Sequence, residues 1–215
     1  YAAAGMIIGS IAAIGYWLAS QLFPPLLSSL VAVAAAIAVT GALHEDGLAD
    51  VCGGGGGQAR DKAMAIMRDS RIGAYGTLGL IVFVGAKVTA LSSLPAAIAI
   101  LALVGGHAAS RAAILAILAT ARYARSEGGA ASKVGEKPSS QSWSVSGLTM
   151  AAVVAACLLF MPVSAIVCSF AGAGILSLAM RQVFMRKLGG YTGDCLGAVQ
   201  QAGELGFYLG LATWV

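Results

Sequence analysis

The chain has 215 residues, 59% of them hydrophobic and 10% charged, whereas soluble domains carry about 25% charged and about 45–50% apolar residues. That balance excludes a soluble globular domain, a disordered chain and a disulfide-stapled secreted module. The excess of 13 Lys and Arg over 9 Asp and Glu is too small to signal a nucleic-acid partner.

A helix crosses the hydrocarbon core in roughly 20 apolar residues. Tyr1 already opens an apolar run with no initiator Met, so a native N-terminal segment is expected before it. Residues 1–43 hold no Asp, Glu, Lys or Arg, and Pro24-Pro25 divides them into predicted spans at 2–21 and 26–43. A polar loop at 44–73 follows, in which Arg60–Ser70 predicts one short amphipathic helix along the membrane interface, with Ala63, Met64, Ile66 and Met67 on its apolar side. Residues 72–121 hold two spans divided at Ser92-Ser93-Leu94-Pro95. Residues 138–180 are again uncharged, and Met161-Pro162 divides them into a short span at 146–161 and another at 163–180. The last predicted span is 192–214. The expected fold is all-α, a polytopic transmembrane helical bundle forming one membrane domain over 1–215, with seven spans, or six if 146–161 is re-entrant.

The charges follow this alternation. Eleven of the thirteen basic residues fall in 44–71, 122–145 and 181–191, while the intervening turns carry none. The positive-inside rule makes the charged side cytoplasmic. The four cysteines (Cys52, Cys157, Cys168 and Cys195) show no C-x-x-C or zinc spacing and read as free thiols.

Four segments could carry chemistry. In His44-Glu45-Asp46-Gly47-Leu48-Ala49-Asp50 the two aspartates stand four apart, on one helical face. Their repulsion would be relieved by a divalent cation, and Mg²⁺ takes one or two carboxylates plus substrate phosphates; a solvated helix end is the plainer reading. Gly53 to Gly57 is a run of five glycines that could cradle phosphates through backbone N–H groups, or serve as a flexible linker. Arg68-Asp69-Ser70-Arg71 places two guanidinium forks beside an acid, which suits phosphate as well as membrane anchoring. Near the C-terminus, Asp194 would cap the last helix or add a third carboxylate level with Asp46 and Asp50. Within the spans, Lys87, His107, Arg111 and Glu204 should face a polar cavity or one another. Lys87 reads as structural, with Glu204 a candidate partner for it or for Arg111.

His44–Asp50, Ile66–Gly73 and the run Gly189-Gly190-Tyr191-Thr192-Gly193-Asp194-Cys195-Leu196-Gly197-Ala198 together, in this order, resemble cobalamin synthase, the adenosylcobinamide-GDP ribazoletransferase family. Ala86-Lys87, Ser110-Arg111 and Tyr123-Ala124-Arg125 are weaker echoes, and the likeness runs from about residue 35 to the end. The resemblance implies a multi-pass enzyme of the inner membrane of prokaryotes, with its active site facing the cytoplasm, that joins the nucleotide loop of vitamin B12. The donor is adenosylcobinamide-GDP and the acceptor is α-ribazole or its 5′-phosphate. The acceptor hydroxyl attacks the phosphorus attached to cobinamide, GMP leaves, and adenosylcobalamin or its 5′-phosphate forms. Mg²⁺ is the implied cofactor.

On this resemblance Asp46, Asp50 and Asp194 are the expected metal ligands. His44, Asp69, Arg68 and Arg71 are the expected catalytic residues, with His44 or Asp69 taking the acceptor's proton and the arginines neutralising phosphate. Arg125, Tyr191, Thr192, Gln200, Arg111 and Glu204 are the expected substrate-binding residues. The lipid bilayer is a partner and a homo-oligomer is left open. One departure stands out: the family pattern continues as H-x-D-G-L-A-D-x-x-D-G, and Gly53 replaces the third acid. If that acid binds metal, this chain has one ligand fewer. A CDP-alcohol phosphotransferase also uses a D-G-x-x-A segment and D-x-x-x-D spacing at a membrane surface, but this chain lacks the rest of that motif, with Asp50 out of place in it, and no further D-x-x-x-D pair follows. A transporter would suit the broken helices and intramembrane charges, but the acids cluster on one side of the membrane and no internal repeat is visible.

Overall fold

The computed structural model describes residues 1–57, 59–69, 71–124 and 136–214. Among them the helices are α1 (Ala2–Ser20), α2 (Pro25–Thr40), α3 (Leu43–Gly54), α4 (Arg60–Ile66), α5 (Ala74–Ser92), α6 (Ala96–Thr120), α7 (Ser140–Leu158), α8 (Val163–Leu188) and α9 (Gly193–Ala212). Arg125, expected to bind substrate, lies outside the described residues, as do Ser70 and Lys133.

Proline sets the uncharged turns. Pro24 and Pro25 precede or open α2, Pro95 precedes α6 and Pro162 precedes α8. Proline suits a helix start, where its missing N–H would have had no partner. The α2–α3 junction differs. Gly41 (φ 62°) caps α2 and Ala42 (φ 58°) follows in the same left-handed region, and the two helix axes meet at 92°. A left-handed alanine costs about 1–2 kcal/mol, so the surrounding packing must hold this corner.

Among the described residues five helices are long and apolar enough to cross a membrane: α1, α5, α6, α7 and α8; the bent pair α2–α3 makes a sixth if it counts as one broken span. The seven expected spans are therefore five or six by this measure. α7 starts at Ser140 and runs for 19 residues, so the span expected to be short is full length, and the broken element is α2–α3 instead. α9 has 20 residues, but Gln200, Gln201 and Glu204 make it too polar to count, and most of it is buried at the centre of the bundle. α8 extends to Leu188, which puts Arg181, Arg186 and Lys187 on a helix rather than in a loop.

α4 is shorter than the expected 60–70 helix. Its apolar residues Ala63 and Met64, with Met67 beyond its end, are buried against Leu48, Val51, Phe184 and Leu188, so this side packs on protein rather than facing lipid. A second, larger apolar cluster includes Leu91, Leu103, Phe207 and Leu211. Helices approach closely where side chains are absent. Gly5 and Gly9 lay α1 on the backbone of α6, where a Cβ at Gly9 would stand 2.6 Å from the Leu103 carbonyl oxygen. Small residues four apart are a recurrent device of membrane helix pairs. The outer faces stay apolar: Leu78, Ile81, Leu148, Val167 and Leu178 are all exposed, as lipid contact requires.

Candidate active site

α3 is cut from the sequence in faces. Asp46, Asp50 and Gly53 recur at helical spacing and line one side of an open cavity of about 410 Å³. The opposite wall is the α4–α5 connection: Met67, Arg68, Asp69, Arg71, Ile72 and Gly73, with Tyr75 at the start of α5. Asp46 is exposed and Asp50 half-buried.

In the far wall Arg71 grips Asp69 with a fork. Arg71 Nη2 donates to Asp69 Oδ2 at 2.7 Å, its Nε donates to Oδ1 at 3.0 Å, and its backbone N–H also reaches Oδ1. These bonds hold the Asp69 carboxyl at about 2, below its ordinary 3.8, which makes it a weak base. Asp69 thus orients Arg71 and is poorly suited to take the acceptor's proton.

The glycine run is not a phosphate cradle here. The N–H groups of Gly55, Gly56 and Gly57 donate to the carbonyls of Val51, Gly53 and Gly54. A Cβ at Gly57 would stand 2.7 Å from Ala63 N, so that glycine lets the chain lie flat on α4. Lys187 Nζ donates to the Gly55 carbonyl at 3.1 Å, a cation on the C-terminal end of α3, where the helix dipole favours one.

His44 and Asp194 do not line the cavity. Two residues before Asp46 on the same helix, His44 is turned about 200° away from it, and its backbone packs on Gly197 of α9. Asp194 stands in the first turn of α9. The cap is Thr192, whose Oγ1 accepts from Cys195 N and donates to Asp194 Oδ2 at 3.2 Å. The Asp194 backbone abuts Gly47, where a Cβ would lie 2.6 Å from its carbonyl oxygen. The fold therefore brings Asp194 against α3 without placing it in the cavity wall. Among the described residues, no three of His, Cys, Asp and Glu gather closely enough to hold a metal ion together.

Most expected substrate contacts are interior. Tyr191 is 1% exposed; its ring meets Tyr123 edge-on at 5.4 Å, and its backbone exchanges hydrogen bonds with Arg122 and Ala124. Arg111, Gln200 and Glu204 belong to a buried polar network across α5, α6 and α9. Glu204 pairs with Lys87 Nζ at 3.1 Å and accepts from Gln200 Nε2 at 2.7 Å and Tyr208 OH at 3.1 Å. Arg111 Nη1 donates to the His107 carbonyl at 3.2 Å and stands 3.1 Å from His107 Nδ1. Lys87 thus has the partner expected for it.

Three members of the network, Tyr208, Gln201 and Glu45, go beyond what the sequence alone suggests. Gln201 Nε2 donates to Glu45 Oε1 at 2.8 Å and to Gln200 Oε1 at 2.7 Å, which ties α3 to the buried pair. Glu45 is part of the His44–Asp50 segment, but its contact with Gln201 lies 156 residues along the chain and leaves no local signature. Glu45 Oε2, His107 Nε2, Arg111 Nη2 and Gln201 Oε1 are buried without a hydrogen-bond partner among the described residues.

Residues 1–212 match the protein family described as cobalamin-5-phosphate synthase. A curated relative from Leptothrix cholodnii, named adenosylcobinamide-GDP ribazoletransferase, is 41% identical over 98% of this chain and 82% of its own length. Relatives of the same name from Ralstonia nicotianae and Bradyrhizobium diazoefficiens are 38% and 39% identical, over 98% and 94% of this chain and 80% and 77% of their own. No solved structure matches the chain.

Proposed function

The chain belongs to the cobalamin-5-phosphate synthase family, and on that premise we propose that its adenosylcobinamide-GDP ribazoletransferase reaction takes place in the cavity between α3 and the α4–α5 connection. The observation that carries this placement is one cavity with Asp46 and Asp50 on one wall and Arg68 and Arg71 on the other. Family membership sets aside the CDP-alcohol phosphotransferase and transporter readings.

In this reaction a hydroxyl of α-ribazole, or of its 5′-phosphate, attacks the phosphorus attached to cobinamide. The new O–P bond forms as the bond to the GMP phosphate breaks. GMP departs with that electron pair, and the hydroxyl proton is released. Phosphoryl transfer of this kind depends on positioning and charge neutralisation more than on covalent help. Arg68 and Arg71 bind the diphosphate oxygens and stay with the phosphate of the departing GMP. Asp69 holds the Arg71 fork in place.

Asp46 and Asp50 suit Mg²⁺: both are hard oxygen donors, and the open cavity leaves room for the waters and substrate phosphates that ion keeps. When bound, the ion would neutralise charge on the diphosphate. Asp194 is left out of this ligand set because it does not line the cavity. His44 is given no proton-transfer role because it faces away from Asp46.

The arginines and lysines of α4, the α4–α5 connection and the end of α8 mark the cavity side of the molecule, so we place it on the cytoplasmic face of the inner membrane. Turnover in proteoliposomes, read as GMP release, tests the site. Asp46→Ala should lower kcat at least about a hundredfold while the variant stays folded in detergent. Near-normal turnover would remove Asp46 from the site.

A further inference from the structure

Glu45 stands next to Asp46 but is turned into the interior. It is buried, whereas Asp46 is exposed in the cavity wall. A helix turns about 100° per residue, so the inward direction of Glu45 and the outward direction of Asp46, Asp50 and Gly53 are set together by the rotation of α3 about its axis.

Close packing holds α3 on α9 at Gly47 and Gly197 and on α5, where a Cβ at Gly76 would stand 2.9 Å from the Ala49 carbonyl oxygen, and one buried hydrogen bond adds a direction to that packing. Leu48 and Val51 pack into an apolar cluster, and apolar burial is non-directional. The glycine crossing at Gly47 and Gly197 decides how near α3 lies to α9. The bond from Gln201 to Glu45 is directional, and Gln201 is itself held through Gln200 and Glu204 to Lys87.

We infer that Glu45 is a positioning residue: bonded to Gln201, it locks α3 in the rotation that turns Asp46 and Asp50 into the cavity. This rests on the reading of that cavity as the active site. A rotation of about 20° would move a carboxylate lying about 6 Å from the helix axis by about 2 Å. A misplacement of about 1 Å can cost about a hundredfold in rate.

The role has a signature that plain structural support lacks. Glu45 Oε2 is buried with no partner among the described residues, and a half-satisfied buried carboxylate destabilises a fold. Removing it should therefore not lower the melting temperature. We expect Glu45→Ala and Gln201→Ala each to lose about a hundredfold in kcat, Glu45→Ala with an unchanged or higher Tm in detergent and Gln201→Ala, which leaves the Glu45 carboxyl buried without its donor, with a lower one. Glu45→Gln, which keeps an acceptor at the same reach, should retain most of the turnover.

A second readout is independent of turnover. In a background with the four native cysteines replaced, Asp46→Cys is labelled in proteoliposomes with a water-soluble maleimide, with and without Gln201→Ala. Loss of the tie should change the labelling rate severalfold. An unchanged rate, a wild-type kcat in Glu45→Ala, a kcat loss in Glu45→Ala that only tracks a fall in Tm, or a Glu45→Gln variant as inactive as Glu45→Ala would each overturn the positioning role. Asp46→Ala, run beside them, separates the two readings. If it turns over normally the cavity assignment fails; if it is inactive while Glu45→Ala is normal, only the positioning role fails.

Discussion

Gly53 shares the α3 face of Asp46 and Asp50, and the space before it is open. Among the described residues a Cβ there would meet only Ile66 Cγ2, at 3.7 Å, an ordinary contact. Gly53→Asp would thus add a third carboxylate to the cavity wall without a clash. It should lower the Mg²⁺ concentration for half-maximal turnover by about tenfold, equivalent to about 1.4 kcal/mol; titrating Mg²⁺ against GMP release checks this. Asp69 gives a pH prediction. Its folded pKa of about 2 lies below the ordinary 3.8, so its charge and its hold on Arg71 persist above about 4 and are lost only as pH falls through about 2. Across pH 5 to 9, Asp69→Asn should lower turnover evenly, leaving any acidic limb of the pH–rate profile unmoved. A limb that disappears in the variant would make Asp69 a titrating base after all.

At the scale of elements, α3 works because two glycines let it lie against α9. A Cβ at Gly47 meets the Asp194 backbone, including Cα at 3.0 Å, whereas one at Gly197 meets His44 Cα and O at the looser distance of 3.1 Å. Gly47→Ala should therefore destabilise by about 1–3 kcal/mol and displace the carboxylate face, and Gly197→Ala should do less of both; thermal melting in detergent beside kcat measures each. Much of this element was legible in the sequence, since the spacing of Asp46 and Asp50 already put them on one face. The same periodicity turns His44 away from Asp46, which its ionisable ring alone does not reveal. The expected span at 146–161 begins six residues after α7 does, since Ser140, Ser142 and Ser144 carry no hydrophobic signal, although within a helix serine can bond back to the chain, as Ser144 Oγ does to the Ser140 carbonyl. The corner at Gly41-Ala42 could not be read, because nothing local requires an alanine to be left-handed. The apolar residues of Arg60–Ile66 gave the right face, but the sequence does not say whether lipid or protein covers it.

Across the whole molecule, the polar residues divide into a cavity on the charged side and a network in the interior. Lys87 and Glu204 each have side chains 2% exposed. Taking one partner away leaves the other charge buried and uncompensated, which typically costs about 3–5 kcal/mol. Lys87→Met should lose stability on that scale, and adding Glu204→Gln should recover most of it, as read by thermal melting of the single and double variants. A double variant no more stable than the single would mean that Lys87 matters for packing rather than charge. The network was foreseen only in outline: charged groups inside spans must find each other, but which pairs meet depends on helix order. Lys87 and Arg111 were both candidates for Glu204, and only the three-dimensional arrangement chose Lys87.

Lys87 and Glu204 neutralise each other inside the bundle, and this pairing constrains inheritance. Lys87 and Glu204 are 117 positions apart in the gene product, yet a single substitution at either leaves an unmatched charge in the bundle. Lineages should therefore tend to keep both or replace both in close succession, and a descendant found with only one of them should carry a second change nearby that restores neutrality.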